Sequence, residues 1–202
     1  MTAMVSGLAQ AAAGEGLDVV CIEPEGETLL KHHLALVALS DDGEGSSGNT
    51  RITLRAGETW AAATTADVVL FDLPRAYANL RNEIADGADA VVLVVTASAS
   101  SLVLAPAVKT FLAGGDNRFL LINFDDGRVA LKRASAAFLE AQFADRMIGR
   151  VRQDESVEEA VASLEMLSTV APYSAAWTDI RVAFVNLLNR MNSLPIAAAQ
   201  PK

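Results

Sequence analysis

The sequence predicts an α/β fold in which a mostly parallel sheet carries helices on both of its faces. Two observations lead to this prediction. Strand-like apolar runs alternate with helix-like stretches along most of the 202 residues. Several runs, such as 88–96, are apolar on both faces, which is typical of parallel strands that helices cover on each side. We therefore expect one domain over 1–194 with right-handed crossovers between its strands.

Each helix is predicted from apolar residues spaced three and four apart and from glycine or proline near its ends. The predicted helices cover 4–15, 28–39, 59–64, 76–85, 101–112, 129–143, 156–163 and 174–191. Each strand is predicted from an apolar, often β-branched run between turn residues. The predicted strands cover 17–23, 51–55, 67–72, 88–96, 118–124 and 146–151. The Gly, Ser and Asp cluster at 41–50 is expected to be a flexible loop, and 195–202 a disordered tail.

Composition and charge exclude several classes of protein. A formal net charge of -9 and a pI near 4.7 argue against a protein whose main task is to coat nucleic acid or an anionic membrane surface, although they leave room for a local basic patch. The single cysteine, Cys21, rules out an intrachain disulfide framework. No run reaches the roughly 18 to 20 apolar residues that a membrane helix needs. We therefore expect a soluble cytoplasmic protein.

The most informative stretch is 67–75, an apolar run that ends on Asp72 and is broken by Pro74. Ligands of parallel α/β sheets bind at the carboxyl ends of strands, so Asp72 is placed where a phosphate-bound magnesium ion would lie. A glycine-rich loop ending in Gly-Lys-Ser/Thr, which would hold the phosphates, occurs nowhere in the 202 residues. The sequence therefore has the aspartate of a nucleotide site without the phosphate-binding loop.

Four segments together carry a family resemblance, although no single one of them is specific. They are Val-Val-Cys-Ile-Glu at 19–23, Val-Leu-Phe-Asp-Leu-Pro-Arg at 69–75, Leu-Leu-Ile-Asn-Phe at 120–124 and the charged segment 151–160. In this order and spacing they resemble the MinD/ParA group of deviant P-loop ATPases, and within it the BcsQ (YhjQ) family of cellulose biosynthesis. The resemblance implies a P-loop NTPase fold with ATP and magnesium as ligands. It also implies a homodimer or heterodimer that contacts other subunits of a cellulose synthase complex.

The resemblance assigns a remnant nucleotide site to three residues and a catalytic role to none. Asp72 matches the magnesium-side aspartate, Glu23 stands where the family has an aspartate that orients the attacking water, and Asn123 matches an asparagine that reads adenine. Each has a structural alternative: Asp72 as a cap of the turn before Pro74, Glu23 in a surface or capping role, and Asn123 bonded to its own loop. The charge run 152–155 could likewise be a nucleotide or partner surface, or capping groups at a helix start.

The resemblance also exposes a departure at the start of the chain. Laid on the family, Met1 and Thr2 stand where the phosphate loop ends, so the first strand and that loop are missing from this sequence. Either the start of the reading frame was set too late or the chain is a degenerate member, and losing a central strand would expose two neighbouring sheet edges. Without the lysine and the loop, these residues alone are not expected to hydrolyse ATP.

Three functional hypotheses follow from the resemblance. The first is an accessory subunit of a bacterial cellulose synthesis and secretion system that acts by protein association, is cytoplasmic and is recruited to an inner-membrane synthase complex. The second is an active MinD/ParA-type ATPase with a truncated N-terminus. The third is a ParA-like partitioning or polar-positioning factor for another cargo. No nucleic acid and no direct membrane insertion are expected for the first.

Overall fold

A computed structural model gives the arrangement of the chain for 2–24, 29–35, 44–46, 51–56, 65–73 and 84–194. The helices in these parts alternate only partly with the strands, since one precedes the first strand and three follow the last. They are α1 (Thr2–Gly14), α2 (Leu29–His33), α3 (Ala99–Val103), α4 (Ala105–Ala113), α5 (Ala130–Phe143), α6 (Ser156–Ser163), α7 (Leu167–Val170) and α8 (Ala175–Asn192), with a 3-10 turn at Ala144–Arg146 and helical residues at 84–87. None of these described helices is long and apolar enough to cross a membrane.

Seven strands in the described residues form two sheets. The strands are β1 (Val19–Glu23), β2 (Glu44–Ser46), β3 (Ile52–Ala56), β4 (Val68–Phe71), β5 (Val91–Thr96), β6 (Arg118–Asp125) and β7 (Met147–Arg152). The first sheet has the order β2-β3-β1-β4 and the second β5-β6-β7. Every described pair is parallel except β2 with β3. The predicted α/β class with a mostly parallel sheet is confirmed, but β4 and β5 are edges of separate sheets.

The inner strands β1 and β6 are buried, whereas the edge strands β4 and β5 are not. All five residues of β1 are buried, as are most residues of β6. In contrast, each residue of β4 is only half-buried, and so are the first five residues of β5. Since both edge strands consist of Val, Leu and Phe apart from one threonine, much apolar surface remains partly exposed between the two sheets.

A layer of helices on one face joins the two sheets. The apolar residues of α1 and α8 belong to a single core that takes in side chains from both sheets, including Val68 and Val92. Gly7 of α1 leaves room for the Ile180 side chain of α8, because a Cβ atom at Gly7 would lie 2.8 Å from Ile180 Cδ1 and would require that side chain to shift. The side chain of Gln10 also links α1 to α7, since its Oε1 accepts a hydrogen bond from Ser168 N–H at 3.0 Å.

Three elements differ from the sequence predictions. The helix predicted at 28–39 ends at His33, and Ala35 takes a positive φ of 57°. The helix predicted at 101–112 is two helices that meet at Leu104, with a proline in the first turn of the second. Part of the predicted loop 41–50 is a strand, since Glu44–Ser46 pairs with β3. A polar segment with low strand propensity can form such a strand because backbone groups of the β3 edge hold it. The predicted helix 59–64, residues 76–83 of the predicted helix 76–85, and the tail 195–202 lie outside the described residues.

Candidate functional site

The carboxyl ends of β1 and β4 bring two of the predicted site residues to one edge of the first sheet. Glu23 is the last residue of β1, and Asp72 follows β4 directly. The Asp72 N–H donates to the Ile22 carbonyl at 2.9 Å, which fixes Asp72 beside the end of β1. Both carboxyl groups are buried, with 5% of Glu23 and 2% of Asp72 exposed. Two carboxylates are thus held close to the same buried strand end.

Asp72 has unused hydrogen-bonding capacity. Its Oδ1 is buried and has no hydrogen-bond partner in the described part of the chain. Burial raises the pKa of Asp72 above its usual value, while a hydrogen bond from the Thr2 side chain opposes that rise. Thr2 is the first residue of α1, so the start of this helix lies against the carboxyl end of β4. The free oxygen can accept a donor or a cation that reaches this edge.

One carboxylate oxygen of Glu23 stabilises the start of α2. Its Oε1 accepts a hydrogen bond from Leu30 N–H at 3.0 Å, near the start of α2. Such a bond satisfies one of the backbone donors that a helix leaves unpaired at its beginning. Its position is therefore that of a buried capping group, and it does not lie on the surface.

Cys21 lies two residues before the end of β1, near the carboxylates of Asp72 and Glu23. Its thiol is fully buried, and burial together with the charges of Asp72 and Glu23 raises its pKa to about 12. The thiol therefore stays protonated at neutral pH and is a poor nucleophile.

Asn123 belongs to the second sheet and is apart from this pair in the strand order. It lies in β6 opposite Thr96 of β5 and is buried. Its Oδ1 accepts a hydrogen bond from Phe124 N–H at 2.8 Å, and Phe124 has a positive φ of 55°. The amide thus supports the turn of its own strand, and whether it also reads a base stays a prediction.

The sequence reasoning missed a charged group on β6. The Asp125 carboxylate is almost fully buried and its Oδ2 accepts two hydrogen bonds from Arg150, at 2.6 and 3.0 Å. Arg150 also binds Glu140 on α5 at 2.8 Å. The signal was present, because Asp125 ends an apolar strand as Asp72 does, but its partner is 25 residues away in the chain.

Two residues of the charge run 152–155, Arg152 and Asp154, form hydrogen bonds with α6 or α8. Asp154 accepts hydrogen bonds from Ser156 N–H at 3.0 Å and from Ala176 N–H at 3.1 Å, so it caps α6 and α8 together. Arg152 pairs with Asp179 of α8 through two hydrogen bonds of 2.8 Å. The side chain of Glu155 makes no capping bond. Of the two alternatives that the sequence left open for 152–155, the structure shows capping by Asp154.

The described residues do not form a metal site by themselves. No group of three or more His, Cys, Asp or Glu side chains among them could hold a metal ion. Asp72 fits a magnesium ion that a bound nucleotide would bring, because its free oxygen supplies one ligand and phosphates supply others. The predicted assignments of Asp72, Glu23 and Asn123 to a nucleotide remain predictions.

Comparison with solved structures shows the MinD/ParA fold. MinD cell division protein of Aquifex aeolicus superposes with a TM-score of 0.75 at 17% identity, over 96% of this chain and 92% of that one. A ParA family ATPase from Chlorobium tepidum gives 0.73 at 16% identity, over 91% of each chain. The septum site-determining protein MinD of Pyrococcus horikoshii, solved with Mg-ADP, gives 0.71 at 12% identity, over 91% and 88%.

Comparison with protein families is more specific. No curated protein matches this chain. The family model described as cellulose biosynthesis protein BcsQ matches residues 49–186, which is more than half of the sequence. Three of the four segments that carry the resemblance lie inside this match, the resemblance is thereby confirmed, and the chain belongs to the BcsQ family of cellulose biosynthesis proteins.

Proposed function

We propose that this protein is an accessory subunit of a bacterial cellulose synthesis and secretion system and that it acts by protein association. The observation that carries the proposal is the family match over 49–186, which links the chain to cellulose synthesis. The protein is recruited from the cytoplasm to the synthase complex through contacts with other subunits. Its nucleotide site is degenerate, with Asp72, Glu23 and Asn123 as remnants.

The chemistry of the carboxyl edge supports a role without ATP hydrolysis. Phosphoryl transfer depends on preorganised donors and cations around the phosphates. In the part of the chain that the structure describes, Glu23 is engaged with α2 and Asn123 with its own turn. Glu23 in the first sheet and Asn123 in the second thus each use a side-chain oxygen to stabilise the fold.

A genetic test separates association from catalysis. Deletion of the gene should lower cellulose output, and the wild-type gene should restore it. Asp72→Asn should restore output equally well if the site is degenerate, with Asp89→Asn on the exposed surface as the matched control. Unchanged cellulose output after deletion would remove the proposal, and failure of Asp72→Asn alone would favour a working nucleotide site.

The second candidate function is nucleotide-dependent switching or hydrolysis. It is favoured by the free Oδ1 of Asp72 and by the likeness to a MinD solved with Mg-ADP. Calorimetry of the 202-residue chain with ATP or ADP and magnesium distinguishes the two candidates. We expect no binding tighter than about 10 μM, which corresponds to roughly -7 kcal/mol. Tighter binding that Asp72→Asn weakens would establish the second candidate.

A further inference from the structure

The outer face of α8 carries apolar side chains that the described fold does not cover. Val182 and Val185 are 54% and 47% exposed, although Ala183 and Phe184 between them are buried on the opposite face of the helix. Amphipathic helices at a protein surface normally place polar or charged residues at such outward positions. Apolar residues at these positions therefore mark the face as a candidate contact surface.

The two valines line a shallow groove that also contains a tryptophan. The groove has a volume of about 360 Å³ and is lined by Pro172 and by one side of α8, from Trp177 to Asn186. Trp177 belongs to the core of the fold and still reaches the groove. Tyr173, next to Pro172, is 95% exposed just before the helix begins. Tryptophan, tyrosine and arginine are the residue types on which binding energy at protein interfaces most often depends.

Arg181 is the charged residue among those that line the groove. No hydrogen bond or ion pair joins it to another residue in the described part of the chain. Asp179, the acidic residue of α8, is bound to Arg152 instead, at 2.8 Å. Because residues four apart lie on one side of a helix, Trp177, Arg181 and Val185 form one line along α8. An unpaired cation thus lies between apolar side chains, on a protein with a formal net charge of -9.

We propose that this α8 groove, lined by Pro172, Trp177, Arg181, Val182 and Val185, is a docking site for an amphipathic helix of a partner protein. The partner helix carries apolar residues three and four apart, with one Asp or Glu among them that pairs with Arg181. The inference rests on the proposed function only in taking a protein as the partner.

The backbone of α8 decides between a helix and a strand as the bound segment. Inside a helix each N–H and C=O group already bonds within the helix, so an extended segment finds no backbone groups to pair with. A helix needs only side-chain contacts and packs with its axis roughly 8 to 10 Å from that of α8. The outward line of side chains on α8 then fits between the side-chain rows of the partner helix.

Charge argues against two other occupants of the α8 groove. A second copy would bring the same groove, and with it a second Arg181, into a symmetric interface. Such a pairing supplies no carboxylate and adds repulsion between like charges. The chain's own segment 195–202 has Lys202 as its single charged side chain. This segment therefore brings no acidic side chain to Arg181.

The internal stretches outside the described residues are joined to another part of the fold. All of them precede residue 84, and they connect elements of the first sheet to one another or to the segment that leads into β5. In contrast, α8 packs against β7, the far edge strand of the second sheet. The strand order thus favours a partner protein over these stretches as the occupant.

Titration of the purified 202-residue chain with designed peptides, followed by NMR, tests the groove without any cellulose system. The probe is a soluble alanine-based helical peptide with a stripe of leucines and one glutamate within that stripe. Its addition should shift the Trp177 indole signal and the methyl signals of Val182 and Val185, with a Kd below about 1 mM. A second peptide with glutamine in place of the glutamate should bind about tenfold more weakly, and high salt should reduce this difference.

Charge reversal on the protein makes the test specific to Arg181. Arg181→Glu should bind the glutamate peptide at least about tenfold more weakly than the wild type does. It should also bind a third peptide, with lysine at that position, more tightly than the wild type does. Lys109→Glu on α4 is the matched control, since Lys109 is an exposed cation outside the groove, and it should leave binding of all three peptides unchanged. Both side chains are exposed, so both variants should fold, which circular dichroism checks.

Four results would overturn the proposal. The first is failure of the wild type to bind the glutamate peptide more tightly than the glutamine peptide, and the second is an equal loss in Arg181→Glu and Lys109→Glu. The third is a nuclear Overhauser contact between Val185 and Ile196 in the free chain, which would identify the chain's own segment as the occupant. The fourth is a set of groove signals that shift with protein concentration alone, which would identify a second copy.

The test of the groove and the test of the proposed function can fail separately. Each of the four results leaves the proposed function standing, because another surface could then make the contacts with the synthase complex. Unchanged cellulose output after gene deletion would remove the proposed function and leave the groove standing.

Discussion

Asp154 joins the starts of two helices, and its removal should destabilise the protein measurably. Its carboxylate accepts Ser156 N–H of α6 and Ala176 N–H of α8, at 3.0 and 3.1 Å. The loss of one helix cap typically costs about 1 kcal/mol, so Asp154→Ala should lower the free energy of unfolding by about 2 kcal/mol. For a chain of this size that is a fall in Tm of roughly 4 to 8 °C.

Urea unfolding followed by circular dichroism measures this change. Glu155→Ala is the matched control, since it removes a neighbouring exposed carboxylate that makes no capping bond, and its effect should stay within about 0.5 kcal/mol. Asp154→Asn keeps one acceptor oxygen and should fall between the two. Equal stability of Asp154→Ala and Glu155→Ala would refute the assignment of Asp154 as a double cap.

The same contact predicts a pH dependence. Partial burial tends to raise the pKa of Asp154, but hydrogen bonds from Ala176, Ser156 and Ala175 outweigh that effect and hold it below the usual 3.8. A carboxyl group with a depressed folded-state pKa stabilises fully above its unfolded value, and this stabilisation is lost as pH falls through the folded value. The stability difference between wild type and Asp154→Ala should therefore shrink below about pH 4. A difference that grows in acid would contradict this account.

Three further predictions concern buried polar groups. Arg150→Met leaves the buried Asp125 carboxylate without its cation and should lower the free energy of unfolding in urea by about 3 kcal/mol. Glu140→Gln, which changes the half-exposed partner of Arg150, should lower it by less than about 0.5 kcal/mol. Similar losses in the two variants would show that Asp125 and Arg150 are not a buried pair. Cys21 should not react with a disulfide reagent at pH 8 until the chain unfolds, because its pKa is about 12 and its thiol is buried; rapid labelling of the native protein would contradict this. Burial raises the folded-state pKa of Asp72 above 3.8, so its contribution to stability falls as pH rises from that value through the folded one. In unfolding titrations Asp72→Asn should therefore gain stability relative to wild type as pH rises above about 4, and a relative loss would show that the charged form of Asp72 is stabilised.

Local patterns predicted the fold well where one apolar run makes one element. The run that ends at Asp72 correctly predicted a carboxylate at the end of a strand, because the apolar run and the proline after it mark where the strand ends. Leu104 shows the limit: helical periodicity continues through it, but the proline at 106 starts a second helix. The strand at Glu44–Ser46 was missed because pairing with β3, and not its own composition, makes it extended.

The candidate site depended more on contacts between distant residues. The position of Glu23 at a strand end was predictable from sequence, but its bond to Leu30 depends on where α2 packs. The contact between Thr2 and Asp72 and the pair of Asp125 with Arg150 join residues on different elements. Spacing in one sequence carries no signal for such contacts, so the roles of these groups emerge only from the folded arrangement.

The packing of α1 against α8 has a consequence for biosynthesis. The bond from Ser168 to Gln10 closes a separation of 158 residues, and α8 follows still later in the chain. A ribosome adds about 5 to 20 residues per second, so α1 waits roughly 10 to 40 s before its permanent neighbour has been made. During that interval the apolar face of α1 has to be shielded by the first sheet or by a chaperone. The protein is therefore most vulnerable to aggregation during synthesis, after α1 has been made and before α8 has been added.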